Sequence, residues 1–488
     1  MLSRGMGRAK SGISGTDNHD IAGGGKHAFI SVLVAPKTTG VCSSRKTRGG
    51  RRCPEGRTFP RKTSLSVGFQ GNPAGVVAQN PKICRTNKPF PMLKAGALCN
   101  QNNHAMSGVL AVICVVVWIY LLAGRGNFWL CCIRDTGRPV PELRRWPVVV
   151  VVVPARNESK YIAASVRSLL GQDYAGEFEL IVVDDDSSDG TAANAMHAAE
   201  SFPAGRMTVI ESKGPPPGWT GKLWAQNQGI AAAENLRPEY LLLTDADIEH
   251  APDTLTWLVR QSSASQFELT SLMAKLRCES LAERTHVPAF IYFFQMLFPF
   301  SWVSQPGPST AAAAGGCMLV RADTLASVGG IASIRNALID DCSLAAKMKT
   351  MGPIWLGLSD RVHSNRPYQT FSDVRRMISR SAYAQLRYSP FLLAATLAGM
   401  AITFMAPPLI AIFAAGLPRF LGLLAWLAMT ISFLPTLRFY RLSPLWSLSL
   451  PAIAGLYLYY TLSSAYQFIK GQGGEWKGRI HADATSLQ

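Results

Sequence analysis

At 488 residues the chain has room for two or three domains, and 48% hydrophobic against 16% charged residues is apolar for a soluble protein of this size. The net charge of +18 is uneven: residues 1–105 carry 17 Lys/Arg against three Asp/Glu, the remainder 32 against 28. The pI therefore gives no argument for a nucleic-acid partner, and ten cysteines without a C-x-x-C pair indicate neither a zinc site nor a disulfide framework.

Residues 1–105 are rich in Gly, Ser, Lys and Arg, with no helical or strand period, and read as a disordered basic extension. Met106 stands directly before a strong apolar segment, which makes it the expected native start. Gly108 to Leu130 is long enough to cross roughly 30 Å of hydrocarbon. Arg125, Arg134, Arg138, Arg144 and Arg145 follow its apolar centre and place that end in the cytoplasm. The expected N-terminal transmembrane helix is thus 106–130.

Residues 146–370 change character. Pro147–Val153 is a β-branched run of the kind found in strands covered on both faces. Ser159–Leu170 has helical spacing, Glu179–Val183 is a second strand, and Thr191–Glu200 a second helix. Met207–Glu211, Leu241–Asp247 and a stretch from Phe267 add further strands. Such alternation predicts an α/β domain with a mostly parallel, Rossmann-like sheet, whose ligands collect at the carboxyl ends of the strands.

Pro288–Val303 is apolar and aromatic but broken by Pro299; an in-plane membrane helix, an acceptor groove and an ordinary buried helix all fit it. Residues 371–390 read as an interfacial segment. Three further apolar stretches follow within 391–470: Phe391–Ala415, Leu417–Leu437 and Trp446–Ile469. Pro407 and Pro408 predict a kink in the first. Three crossings would leave the 471–488 tail, with Lys477 and Arg479, outside the cell, against the positive-inside rule. Either one stretch is re-entrant or the rule is overridden.

Five short stretches carry the candidate chemistry. Val153-Pro-Ala-Arg-Asn-Glu158 closes the first strand and brings Glu158 to its tip. Val183-Asp-Asp-Asp-Ser-Ser-Asp-Gly190 closes the second, with acids suited to a base or ribose. Thr244-Asp245-Ala-Asp247 ends a buried strand in two carboxylates that can share one divalent cation, Mg²⁺ or Mn²⁺, with water and phosphate. Gly315 and Gly316 let backbone approach a bound acceptor closely. Asp340 and Asp341 open a helix, a favourable place for acids. A solvated Asp pair, a helix cap or a turn lysine at Lys222 is the plain alternative for each stretch alone; their order together favours a site.

That ordered set resembles the family 2 glycosyltransferases, inverting enzymes with a GT-A fold, over about residues 147–366. The anchor leading into RWPVVVVVVPARNE, the stretch Pro217-Gly-Trp-Thr-Gly-Lys222-Leu-Trp-Ala-Gln-Asn227, and Arg380-Ser-Ala-Tyr-Ala-Gln-Leu-Arg387 resemble the membrane-bound hopene-associated branch. The resemblance implies that Glu158 and Asp185 hold the nucleoside and that Asp245 contacts the nucleotide. With Asp247, Asp245 would also hold the metal and diphosphate. Lys222 and Arg387 assist the donor, and Asp341, beside Asp340, is the base. The family's Gln-x-x-Arg-Trp element is degenerate here, since Gln385 stands two residues before Arg387 and Tyr388 replaces Trp. A single transfer is expected instead of polymer synthesis. The implied protein is a multi-pass enzyme of the bacterial inner membrane, its catalytic domain facing the cytoplasm. It takes a nucleotide-sugar donor and a lipid acceptor: hopanoid-related, carotenoid, sphingolipid or polyprenyl phosphate. A nucleotidyltransferase would want a Gly-rich basic loop after the first strand, which is lacking. A degenerate membrane scaffold would not be expected to retain the acids.

Overall fold

The computed structural model describes residues 93–136, 141–306, 309–471, 475–476 and 479–480. The expectations for residues 1–92 and for most of the tail fall outside these. A helix runs Leu93–Ile119 and continues through a π-helical turn, Tyr120–Gly124, so helix begins well ahead of the Gly108 start that hydropathy suggests.

Eight strands form one mixed sheet: β1 (Val149–Ala155), β2 (Phe178–Asp184), β3 (Met207–Glu211), β4 (Tyr240–Thr244), β5 (Ile248–His250), β6 (Leu269–Leu276), β7 (Cys317–Arg321) and β8 (Ile354–Ser364). Their order is β3-β2-β1-β4-β7-β6-β8-β5. The first four are mutually parallel, β7 runs antiparallel to both neighbours, and β6 and β8 are parallel again. All seven β1 residues are buried. Val150 and Val152 enter one apolar cluster and Val149, Val151 and Val153 the other, which is why the strand reads as unbroken valine instead of alternating.

Register does the rest. Ala155 pairs with Asp184 and Val152 with Leu243, so the tips of β1, β2 and β4 end side by side. Thr244 pairs with Cys317, which sets Gly315 and Gly316 beside the β4 tip. Ile248 pairs with Ser364, which carries the chain leaving β8 toward Asp247. The helix Gly221–Ala233 lies against this half of the sheet at Gly229, where a Cβ would sit 2.5 Å from Val152 Cγ1 and 2.9 Å from Val183 Cγ2. Gly229→Val is therefore expected to overpack the core and cost about 1–3 kcal/mol, read as a lowered midpoint of thermal unfolding. An unchanged midpoint would mean that the helix is free to lift.

The Pro288–Val303 stretch resolves into a longer buried helix, Leu281–Leu297, and a short turn, Phe300–Val303. Its capping box, Ser280 with Glu283, fixes the start ahead of Pro288. Val287 and Ile291 point into the core under the sheet; Tyr292, Phe293 and Met296 point into a third cluster made with the apolar helices. Arg125 is buried at the far end and donates to the last carbonyls, Nε to Met296 O (3.0 Å) and Nη2 to Leu297 O (3.1 Å). This arginine serves a helix C-terminus, where positive charge is favoured.

Among the described residues four helical stretches are long and apolar enough to cross a membrane by length and composition: Met106–Gly124, Pro390–Phe413, Gly416–Phe439 and Pro444–Ile469. The second contains a π-helical turn, Ala401–Met405, just before Pro407 and Pro408. Pro407 has no N–H for the Thr403 carbonyl one turn back. The Trp118 indole supplies the donor instead, at 3.0 Å, so the predicted irregularity is satisfied from the neighbouring helix.

Candidate active site

A crevice of about 580 Å³ opens at the carboxyl ends of β1 and β4. Pro154, Arg156 and Glu158 line it from β1, Asp245 and Asp247 from β4, Lys222 from a helix start, and Asp340 from another. The opposite wall comes from Arg366 and Tyr368 after β8, and from Arg376, Met377 and Arg380 on an amphipathic helix, Phe371–Ser379, and just beyond it.

The two strand-tip loops hold each other. Asn157 N donates to Ser187 Oγ (2.9 Å), Ser188 N to Asn157 Oδ1 (3.0 Å) and Glu158 N to Thr191 Oγ1 (2.8 Å). Asn157 and Asp186 both adopt left-handed backbone, φ 50° and 56°, a strained choice for residues other than glycine and common at binding turns. Asp185 is fully buried; its N–H donates to Ala155 O at 2.8 Å, and its carbonyl accepts from Arg156 Nη1. Asp189, and not Asp184 or Asp186, meets the start of the following helix, accepting from Thr191 N at 3.2 Å.

Two cations knit the acids. Lys222 Nζ lies 2.9 Å from Asp245 Oδ1 and 3.1 Å from Asp340 Oδ2. Burial works against its charge, but Asp245, Asp340 and Asp341 outweigh that and hold its pKa above the ordinary lysine value. Thr220 caps the helix that carries it, accepting from Leu223 N. Arg366 bridges the other pair, Nη2 to Glu158 Oε1 (2.5 Å) and Nε to Asp247 Oδ2 (2.7 Å), with its guanidinium over the Tyr161 ring.

Asp245 stays above the ordinary carboxylate range: burial raises it, Lys222 lowers it in part, and Asp247 raises it again. Paired carboxylates relieved by one lysine suit a divalent cation. Each uses one oxygen on a protein cation, and among the described residues no group of three or more His, Cys, Asp or Glu is placed to hold a metal. The remaining ligands would be water and phosphate, the habit of Mg²⁺ and related hard ions. The β4 tip is pinned from behind: Thr244 Oγ1 donates to Gly316 O (2.7 Å), so the contact from His250 Nε2 (3.0 Å) must be a donated hydrogen bond. Burial drives that histidine down to about 3, which keeps it neutral.

Asp340 lines the crevice; Asp341 stands behind it. Asp341 Oδ2 accepts from Gly315 N (3.0 Å) and Oδ1 from Cys342 N (2.7 Å). Burial first, then the neighbouring Asp340, pushes its carboxyl up to about 6. Gly315 thus holds a carboxylate, and a Cβ there would stand 3.4 Å from Lys222 Nζ.

Of the residues expected from the sequence, Glu158, Lys222, Asp245, Asp247, Asp340, Asp341, Gly315 and Gly316 come together, with Asp185 one layer behind Arg156. Arg387 does not line the crevice: it is exposed in left-handed backbone (φ 52°), its N–H on Ala384 O (2.8 Å). Arg380, seven residues earlier, takes that position. His363, near the end of β8, does not line the crevice either; its Nε2 stands 2.9 Å from Asp360 O. Sequence reasoning missed Arg156, Arg366, Arg376 and Arg380. A signal for the last two existed: Val374 and Ile378 alternate with arginines at helical spacing.

Residues 150–329 match the family model described as Glycosyl transferase family 2. A probable glycosyltransferase, YdaM, of Bacillus subtilis is 24% identical over 50% of this chain and 57% of its own. An N-acetylglucosaminyltransferase of Mesorhizobium japonicum is 30% identical over 31% and 35%. The chain thus spans little more than half of the first relative and about a third of the second. A solved mannosyltransferase, PcManGT from Pyrobaculum calidifontis in complex with GDP-Man and Mn²⁺, aligns at 20% identity with a TM-score of 0.48, covering 74% of this chain and 98% of that one. The mixed sheet, parallel through β3-β2-β1-β4 with antiparallel β7 beside it, is GT-A-like. By the family match, residues 150–329 form a glycosyl transferase family 2 domain, and Glu158, Asp185, Lys222, Asp245 and Asp247 all lie within it.

Proposed function

We propose that this protein is an inverting glycosyltransferase that moves one sugar from a nucleotide donor to the hydroxyl of a membrane lipid. One observation carries the reading: a single crevice runs from the strand-tip acids to Arg376, Met377 and Arg380. These lie on the amphipathic helix and just beyond its end, and its other face, Val374 and Ile378, packs into the cluster of apolar helices. A lipid headgroup held at that helix reaches the acids without leaving the membrane surface. The sequence resemblance points to a hopanoid-related lipid and to the cytoplasmic face of a bacterial inner membrane.

In this reading Glu158 and Asp185 sit on the nucleoside side of the crevice and Asp245 and Asp247 on the diphosphate side. Asp245 and Asp247 would hold a divalent ion, which when bound supplies Lewis-acid stabilisation of the departing diphosphate. Lys222 and Arg366 turn from their carboxylates to the phosphates, preorganised positive charge where negative charge develops. Asp341, with its raised pKa, takes the proton from the acceptor hydroxyl as that oxygen attacks the anomeric carbon opposite the leaving group. That geometry inverts the anomeric centre.

The test is detergent-solubilised full-length protein with Mg²⁺ or Mn²⁺ and a panel of nucleotide sugars. Release of nucleoside diphosphate would be followed with and without bacterial lipid extract. One donor is expected to give lipid-dependent release. Equal release without lipid would remove the lipid acceptor from the reading; no release and no donor binding would favour a scaffold that has lost the chemistry.

A further inference from the structure

Lys470, Lys477 and Arg479 follow the last apolar helix, and three crossings after residue 390 would carry them out of the cytoplasm. The contacts of that helix, Leu450–Ile469, point elsewhere. Ten residues before its start, Phe439 and Tyr440, at the end of the preceding apolar helix, pack into the core under the catalytic sheet. Lys275 of β6 stands 4.4 Å from the Phe439 ring centre. Midway, Tyr457 Oη donates to His286 O (3.0 Å) and Tyr460 Oη lies 3.0 Å from His286 Nε2, on the helix Leu281–Leu297 buried beneath the catalytic domain. Toward its end, Ser464 Oγ accepts from Tyr383 N (3.1 Å), and Phe468 stacks on Tyr388 at 4.2 Å. Tyr383 and Tyr388 lie between the amphipathic helix and the first C-terminal span.

Residues 457, 460, 464 and 468 are spaced three or four apart, so one stripe meets catalytic-side elements along most of the helix. Twenty residues of helix measure about 30 Å, a full hydrocarbon thickness. A helix standing across the bilayer touches the catalytic side at one end only. This one touches it in the middle and at its finish, and the chain that enters it was on that side ten residues before. Its opposite face exposes Tyr459, Leu462, Tyr466 and Ile469, aromatic and apolar groups suited to the boundary of headgroups and acyl chains.

We infer that Leu450–Ile469 lies along the membrane on the catalytic side, its outer face bedded in lipid, and does not cross. The chain then crosses three times, and Lys470 stays with the catalytic domain, as positive charge should. This rests on the membrane reading above, and the experiment separates the two. Alkaline phosphatase would be inserted between Ala414 and Ala415, or fused after Gln488, in the full chain expressed in a Gram-negative host. The internal insertion is expected to be active and the C-terminal fusion inactive, at least an order of magnitude apart. Lys470→Cys, free of any fusion, should gain impermeant-maleimide labelling over wild type in inside-out vesicles and not in spheroplasts. An active C-terminal fusion with Lys470→Cys labelled from outside would overturn the inference and leave the membrane reading standing. Inactivity at both fusion sites, with neither preparation labelling selectively, would overturn both.

Discussion

Asp341→Asn is expected to lower sugar transfer by ~10²–10⁴, the usual contribution of a positioned general base, while the donor still binds. The amide keeps the side chain's shape and can keep its oxygen on Gly315 N, losing only the hydrogen bond from Cys342 N. It removes a carboxyl that burial and Asp340 lift to about 6. A base with that pKa is mostly ionised at neutral pH and still keen for a proton. For the wild type, kcat/KM should accordingly fall as pH drops through that value, because the protonated carboxyl accepts nothing. In Asp341→Asn that acid limb should vanish from the residual rate. Should the limb survive, proton removal belongs to another group.

Asp340→Asn separates the neighbours. Asp340 is held to Lys222 at 3.1 Å, and a carboxylate locked on an ammonium is a poor base. Its loss should weaken donor binding, through a Lys222 left to Asp245 alone, and keep the acid limb but move it to lower pH, because the Asp340 charge helps raise Asp341. If the limb instead vanishes from Asp340→Asn and persists in Asp341→Asn, the two roles are exchanged.

Much of this arrangement was legible in the chain. A run such as Val149–Val153 is buried on both faces or it aggregates, and a strand like Tyr240–Thr244 that ends in Asp245 and Asp247 places acids at a sheet edge. Parallel strands then bring separate tips together, which is why Glu158 and Asp245, far apart in sequence, share a crevice. Arg366 was not legible, because it follows an antiparallel pairing of β5 with β8 that periodicity does not announce. Arg387 was chosen from a degenerate motif, whereas the residue that lines the crevice is Arg380, at the end of an amphipathic helix. Hydropathy registers how apolar a helix is and not which way it lies.

Asp247→Ala and Arg366→Gln should push divalent-ion binding in opposite directions. Asp247 gives one oxygen to Arg366 at 2.7 Å, and Arg366 holds Glu158 with its other arm. Without Asp247 the strand tip keeps only Asp245 as an acidic ligand. Mn²⁺ binding in the presence of nucleoside diphosphate, followed by electron paramagnetic resonance, should be lost. Diphosphate release should fall by about 10²–10³, the scale set by removing one preorganised electrostatic partner. Arg366→Gln removes a cation that competes for the same carboxylate, so Mn²⁺ alone should bind more tightly than to wild type. The same change strips a phosphate partner, so donor binding should weaken and transfer should drop. It also leaves Glu158 and Asp247 without their shared counter-ion, and a lower unfolding midpoint is expected in the absence of metal, restored in part by Mn²⁺. Mn²⁺ bound by Asp247→Ala as well as by wild type would sink the metal assignment for this strand tip. Weaker Mn²⁺ binding in Arg366→Gln would instead make the arginine a support that positions Asp247, not its competitor.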